Sequence, residues 1–160
     1  MSLKSSIAEA AGRSSYWFLH KFFNGGSSLP GKITLTLDPN ILQAFIQKYD
    51  LVIVTGTNCK TFTPALSVRV LKEKYPQVLT NPTGSNMAQG IVTTFITAPR
   101  PKHKGLAVLE VDEANVVRVC QYITPIAFVI TNLFRDQMDR YGEIYTTYDK
   151  ILAGIKLAPQ

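Results

Sequence analysis

The residues Thr55-Gly56-Thr57-Asn58-Cys59-Lys60-Thr61 join an apolar, mostly β-branched run, Leu51 to Val54, to a stretch with helical character. A strand–loop–helix of this kind points backbone N–H groups and the positive end of a helix dipole at a phosphate. Lys60 would reach the terminal phosphates, and the Thr61 hydroxyl would hold Mg²⁺. The general phosphate-loop pattern carries glycine at the places taken here by Val54 and Cys59. The same seven residues also read as a plain βα turn that precedes a lysine. A side chain at position 59 should either tilt the loop away from a phosphate or force an unfavourable backbone angle. At a helix N-terminus beside Lys60, the thiol should be reactive.

A second cluster closes another apolar run, Leu106 to Val111, with Glu110, Asp112 and Glu113. In open α/β sheets ligands bind outside the carboxyl ends of the strands, so these acids should face the same crevice as Lys60. A carboxylate inside a buried strand is costly unless something pairs with it, which assigns the metal role to Glu110. Asp112 and Glu113, just before Ala114, are assigned to helix capping. Arg135, Asp136, Gln137, Asp139 and Arg140 follow the next apolar run, either beside the crevice or as a solvated connection. His20 and His103 have no ligand spacing around them. Cys59 and Cys120 are too few for a zinc site or a disulfide framework, and suit a reduced cytoplasmic setting. The basic loop Arg100 to Lys104 lacks interleaved aromatics, which argues against nucleic-acid binding. No side chains suggest a catalytic triad.

The elements that must position these residues follow from hydrophobic period and punctuation. Leu3 to Phe23 is a helix ended by Asn24-Gly25-Gly26-Ser27-Ser28. Ile33, Leu35 and Leu37 alternate with polar residues and predict a strand over Lys32 to Leu37. Asp38-Pro39 then opens a helix with Leu42, Phe45, Ile46 and Tyr49 on one face. After the strand at Leu51 to Val54 come a helix to about Tyr75, a strand at Gln77 to Thr80, and a turn-rich loop from Asn81 to Asn86. A helix at Met87 to Thr97 precedes the strand at Leu106 to Val111, and Val116, Val119, Cys120 and Ile123 share a further helical face. A strand at Ala127 to Leu133, a charged loop from Phe134 to Gly142 and a helix at Glu143 to Leu157 complete the chain. Strands alternating with helices predict an α/β fold, a mostly parallel sheet flanked by helices. The expected organisation is an N-terminal helical segment and linker over 1–31, then a nucleotide-binding unit over 32–160.

The 160 residues are 46% hydrophobic, enough to bury the core of one domain. Seventeen basic against 11 acidic residues leave a charge of +6, which suits an anionic partner. No apolar run approaches the roughly 18 residues of a membrane helix. Ala158-Pro159-Gln160 follows directly on a helix, where a sheet of this type would normally continue.

Four motifs together resemble the central, ATP-binding domain of the Mur ligases, a P-loop NTPase-like fold. Thr55 to Thr61 is similar to that family's shortened phosphate loop, and Asn81-Pro-Thr-Gly-Ser-Asn-Met87 to a loop that contributes a magnesium ligand. Glu110, in Leu109-Glu-Val-Asp-Glu-Ala114, lies where the family places a magnesium-binding glutamate. Thr131-Asn-Leu-Phe-Arg-Asp-Gln-Met-Asp-Arg-Tyr-Gly-Glu143 resembles the segment that usually carries Asp-His-Met-Asp-Arg-Tyr, with Gln137 in place of the histidine. That variant, with Leu29-Pro-Gly-Lys32 and Gly142-Glu-Ile-Tyr-Thr-Thr-Tyr148, is similar to one branch, the MurT-type subunits of lipid II isoglutaminyl synthase.

The resemblance implies a truncated central domain of an ATP-dependent amide ligase of peptidoglycan synthesis. Its phosphate-binding residues would be Gly56, Thr57, Asn58, Cys59, Lys60 and Thr61, with Thr61, Glu110, Asn81 and Gln137 as magnesium ligands. The D-glutamate α-carboxyl of lipid II would be activated as an acyl phosphate and amidated to D-isoglutamine. Ammonia would come from a GatD-type glutamine amidotransferase bound mainly through a C-terminal domain. The work would be cytoplasmic, at the inner face of the membrane, with a zinc site only in downstream residues and the fragment inactive alone. Two other readings stand beside it: a folylpolyglutamate synthase relative, and a degenerate phosphate-loop domain that only binds a partner.

Overall fold

The computed structural model describes residues 2–23, 25–26, 28–81, 84–101, 103–134 and 144–158. Helices α1 (Leu3–Phe23), α2 (Leu29–Leu37) and α3 (Ile41–Ile46) precede the first strand, β1 (Tyr49–Thr55). Then come α4 (Phe62–Leu71), β2 (Val78–Leu79), α5 (Ala88–Thr97) and β3 (Gly105–Glu110). A 3₁₀ turn (Glu113–Asn115) leads into α6 (Val116–Cys120), β4 (Ala127–Ile130) and α7 (Ile144–Leu157). The four strands form one parallel sheet in the order β2-β3-β1-β4, flanked by helices.

β3 and the second half of β1 are buried, as their unbroken apolar runs require, whereas β4 leaves Val129 and Ile130 exposed. Leu51 and Ile53 of β1 and Ala107 and Leu109 of β3 share a core with Ile91, Val92 and Ile96 of α5. Val116, Val119, Cys120 and Ile123 close that core, so the expected helical face is fully buried. Val54 and Val108 point the other way, against Val68 of α4. Helix α5 is buried almost all round, and its Thr93, Thr94 and Thr97 hydroxyls bond carbonyls four residues back.

The strand expected over Lys32 to Leu37 is instead helix α2. Pro30 starts it, in the first turn where its missing N–H costs nothing. The buried side is Pro30, Gly31 and Thr34 rather than Ile33, Leu35 and Leu37. Thr34 and Thr36 satisfy their hydroxyls on the Pro30 and Lys32 carbonyls. Small residues let three helices meet closely: a Cβ on Gly31 would fall on the Gln89 carbonyl of α5, and one on Gly12 would strike the Thr34 hydroxyl. The Gly31 N–H donates to Thr93 Oγ1 at 2.9 Å. Residue 31 lies inside α2, and Ala8 of α1 belongs to the same core as the strands. Shorter differences are of boundary: Tyr49 opens β1 instead of closing α3, α4 stops at Leu71, and β4 stops at Ile130.

The helix contact yields a stability test. Replacing Gly31 with alanine should lower unfolding free energy by about 2 kcal/mol or more, because a backbone carbonyl blocks the new methyl group. Urea denaturation followed by circular dichroism reads the change.

Candidate functional site

The chain leaves β1 through Gly56, which has φ +132° and no room for a side chain. A Cβ there would strike the Thr131 hydroxyl and lie 2.7 Å from the Asn132 carbonyl oxygen. That crowding exists because residues 131–134, just after β4, hold the loop. Thr57 N–H donates to the Asn132 carbonyl at 2.9 Å, and Asn58 N–H donates to Asn132 Oδ1 at 2.9 Å. Thr131 Oγ1 donates back to the Asn58 carbonyl at 2.7 Å. Phe134 N–H reaches Thr57 Oγ1 at 3.0 Å. Thr131 and Asn132 thus build the loop, a role that the reading of residues 55–61 alone misses. Polar residues at a strand's carboxyl end were the available signal.

With Thr57 and Asn58 engaged, the backbone N–H groups of Cys59, Lys60 and Thr61 make no hydrogen bond among the described residues. They lie just before and at the N-cap of α4, Thr61. Thr61 sits at the cap position with its hydroxyl uncommitted and exposed. Cys59 has φ +62°, the only non-glycine residue with positive φ among the described residues. The backbone has taken the unfavourable angle, at a cost of about 1–2 kcal/mol for a residue with a Cβ.

Lys60 Nζ lies 2.6 Å from Glu113 Oε2, with side chains 13% and 5% exposed. This corrects the assignment of Glu113 to capping. Asp112 alone caps the 3₁₀ turn, accepting from Ala114 N–H at 3.1 Å, while Glu113 turns inward to the lysine. Fifty-three residues separate the pair, so no local pattern announces it.

Glu110 ends β3 opposite Val54, two residues before Gly56, which puts its buried carboxylate at the same edge of the sheet as the loop. Its Oε1 accepts from Asn86 Nδ2 at 3.2 Å. Asn81 ties the 81–86 loop to the strand: Nδ2 donates to the Ser85 and Glu110 carbonyls, each at 2.8 Å, and Oδ1 accepts from Glu110 N–H at 2.8 Å. Both amide hydrogens of Asn81 are thereby spent on backbone, leaving only lone-pair capacity on Oδ1. Gln137 and the charged residues of 135–143 lie outside the described residues. His20 and His103 are exposed.

The arrangement offers three free N–H donors, one ammonium, one uncommitted hydroxyl and two buried carboxylates at the carboxyl edge of a parallel sheet. Related sequences occur within longer named proteins. A lipid II isoglutaminyl synthase (glutamine-hydrolyzing) subunit MurT from Streptococcus pneumoniae is 56% identical over 160 residues, covering 99% of this chain and 36% of that one. This chain is a MurT homologue. The MurT subunit of Staphylococcus aureus is 45% identical over 120 residues, 74% of this chain and 27% of its own. The chain therefore spans about a third of the length of the MurT subunits it matches. No family model matches. In fold it is similar to the Mur ligases: a MurF ligase from Thermotoga maritima in complex with ADP superposes with a TM-score of 0.66 at 19% identity, covering 78% of this chain and 30% of that one. A MurF from Acinetobacter baumannii gives 0.67 at 14% identity, over 80% of this chain and 28% of its own.

Two measurements follow from the geometry. Cys59 is exposed, whereas Cys120 is buried and its thiol is pushed up to about 11 by that burial. Alkylation under native conditions should therefore modify Cys59 at least tenfold faster, read by mass spectrometry of digests. Glu113→Gln should destabilise the fold by about 2–3 kcal/mol, since it leaves a largely buried ammonium without its carboxylate. In a double-mutant cycle, Lys60→Met should cancel most of that loss.

Proposed function

We propose that this chain is the phosphate-binding part of an ATP-dependent amide ligase of peptidoglycan synthesis, a MurT-type subunit of a lipid II isoglutaminyl synthase. The observation that carries the reading is the row of unbonded N–H groups at residues 59–61, with Lys60 at its centre and buried carboxylates beside it. Such a row receives phosphate oxygens without rearrangement, and Lys60 neutralises their charge. The 56% identity to a named MurT subunit supports extending this to the reaction.

In that reaction the α-carboxylate of D-glutamate in lipid II attacks the γ-phosphorus in line. The bond to the ADP oxygen breaks, giving an acyl phosphate and ADP. Ammonia, supplied by a GatD-type glutamine amidotransferase, attacks the acyl carbon and expels inorganic phosphate, leaving D-isoglutamine. Thr61 and Glu110 fit Mg²⁺, because one hydroxyl is uncommitted and one buried carboxylate has only a neutral amide partner. The metal would screen phosphate charge, and Asn81 and Gln137 complete the proposed set. The chain's own residues position and screen; no side-chain nucleophile is needed. Work at the inner face of the membrane belongs to the same proposal, and a zinc site is expected only beyond these residues. The strained Cys59 favours one second reading, a degenerate loop that binds a partner without nucleotide.

Calorimetric titration with ATP and Mg²⁺ decides between them. Lys60→Met should weaken binding at least tenfold, and Cys59→Gly should tighten it severalfold by removing the strained side chain. In the full natural chain with its amidotransferase, Glu110→Gln should abolish amidation while the circular dichroism spectrum is unchanged. Absence of nucleotide binding by both this chain and the full chain would overturn the ligase reading.

A further inference from the structure

Helix α1 buries Ser5, Ala8 and Gly12 on one side, and its other side is apolar as well. Leu3, Ile7, Trp17, Phe18 and Phe22 are 50–80% exposed. At about 100° per residue these five fall within one arc, diametrically opposite the buried face. A helix docked on a core by one face normally turns charges outward from the other. Here the outward face carries aromatics and cations without any exposed carboxylate. The only acid of α1, Glu9, is buried between Arg13 at 2.9 Å and Arg100 at 2.7 Å. Lys4, His20 and Lys21 are exposed, and the Lys21 ammonium sits 4.6 Å from the Trp17 ring centroid.

From this face we infer that α1 is a membrane-docking helix, lying flat in the headgroup region of a bilayer rich in anionic phospholipid. Lys4 sits at one margin of this arc and Lys21 within it near the helix C-terminus, so rings and ammonium groups together match the polarity gradient between acyl chains and headgroups. No helix of the described residues is long and apolar enough to cross a membrane, so α1 would lie on the surface instead. A second copy is a poor occupant, because two such faces would bring cations together with no carboxylate to separate them. A protein partner is disfavoured too, since interface cores are depleted in lysine. The inference does not rest on the ligase reading and adds a surface at which this chain would meet its lipid environment.

Co-sedimentation of the full natural chain with vesicles tests it. Equal parts of phosphatidylglycerol and phosphatidylcholine should bind at least tenfold more strongly than phosphatidylcholine alone, and added salt should erase most of that difference. Trp17→Ser with Phe22→Ser should weaken binding to the anionic vesicles at least tenfold. Lys4→Glu with Lys21→Glu should weaken it about tenfold and leave the phosphatidylcholine baseline unchanged. The inference is overturned if the folded full chain ignores anionic vesicles, because the rest of the chain then covers the stripe. It is equally overturned if the stripe variants bind like the parent, or if they dissolve a dimer that itself binds no lipid. ATP titration of the same preparations reads the ligase proposal separately.

Discussion

Strand β1 is hydrogen-bonded along both edges, to β3 on one side and to β4 on the other, all three parallel. Parallel pairing aligns the carboxyl ends, so whatever follows each strand must emerge at the same edge. The loop at 56–61, the acids at 110–113 and the polar segment at 131–134 are close for that reason alone. The sheet supplies the coincidence, and side chains refine it. Asn132 and Thr131 fasten the loop from one side, Glu113 holds Lys60 from the other, and Asn81 pins the end of β3.

Much of this was legible because buried parallel strands write themselves as continuous apolar runs, as Leu51 to Val54 and Leu106 to Leu109 do. The convergence of Lys60 with the acids was legible for the same reason, through the rule that ligands gather at carboxyl ends. The strand expected at residues 32–37 failed because three alternating aliphatics in so short a stretch fit either period. The surface that needed burying was small: Gly31 and Thr34, chosen by the close approach of α1 and α5. Ser28-Leu29-Pro30 was the local sign of a helix start. Glu113 was misassigned because capping is a local habit, whereas its partner lies across the sheet edge. Asn132 makes three bonds to the loop, and a polar residue at a strand's carboxyl end was their one local sign.

The loop at 56–61 shows two ways of turning the chain through an unusual angle. At Gly56 the geometry forbids any side chain, since Thr131 and Asn132 fill the space. At Cys59 there is room for a side chain, and the cost is purely one of backbone preference. A substitution that is fatal at one position is tolerated three residues later. Departure from the usual glycine pattern is thus a statement about local space rather than about loss of the loop.

The strand order β2-β3-β1-β4 has a consequence for how the molecule assembles. The central strand is the first to be synthesised, yet its partners begin at residues 105 and 127. Until β3 has left the ribosome β1 has neither neighbour and two open edges, and until β4 follows one edge stays open. Helices α1 and α2 pack mainly on each other and on α5, and β1 finds its strand partners only in β3 and β4. Contacts this distant in sequence close slowly. Newly made chain therefore passes through a period in which its most aggregation-prone segment waits for partners, and the speed of translation through residues 60–130 sets how long that wait lasts.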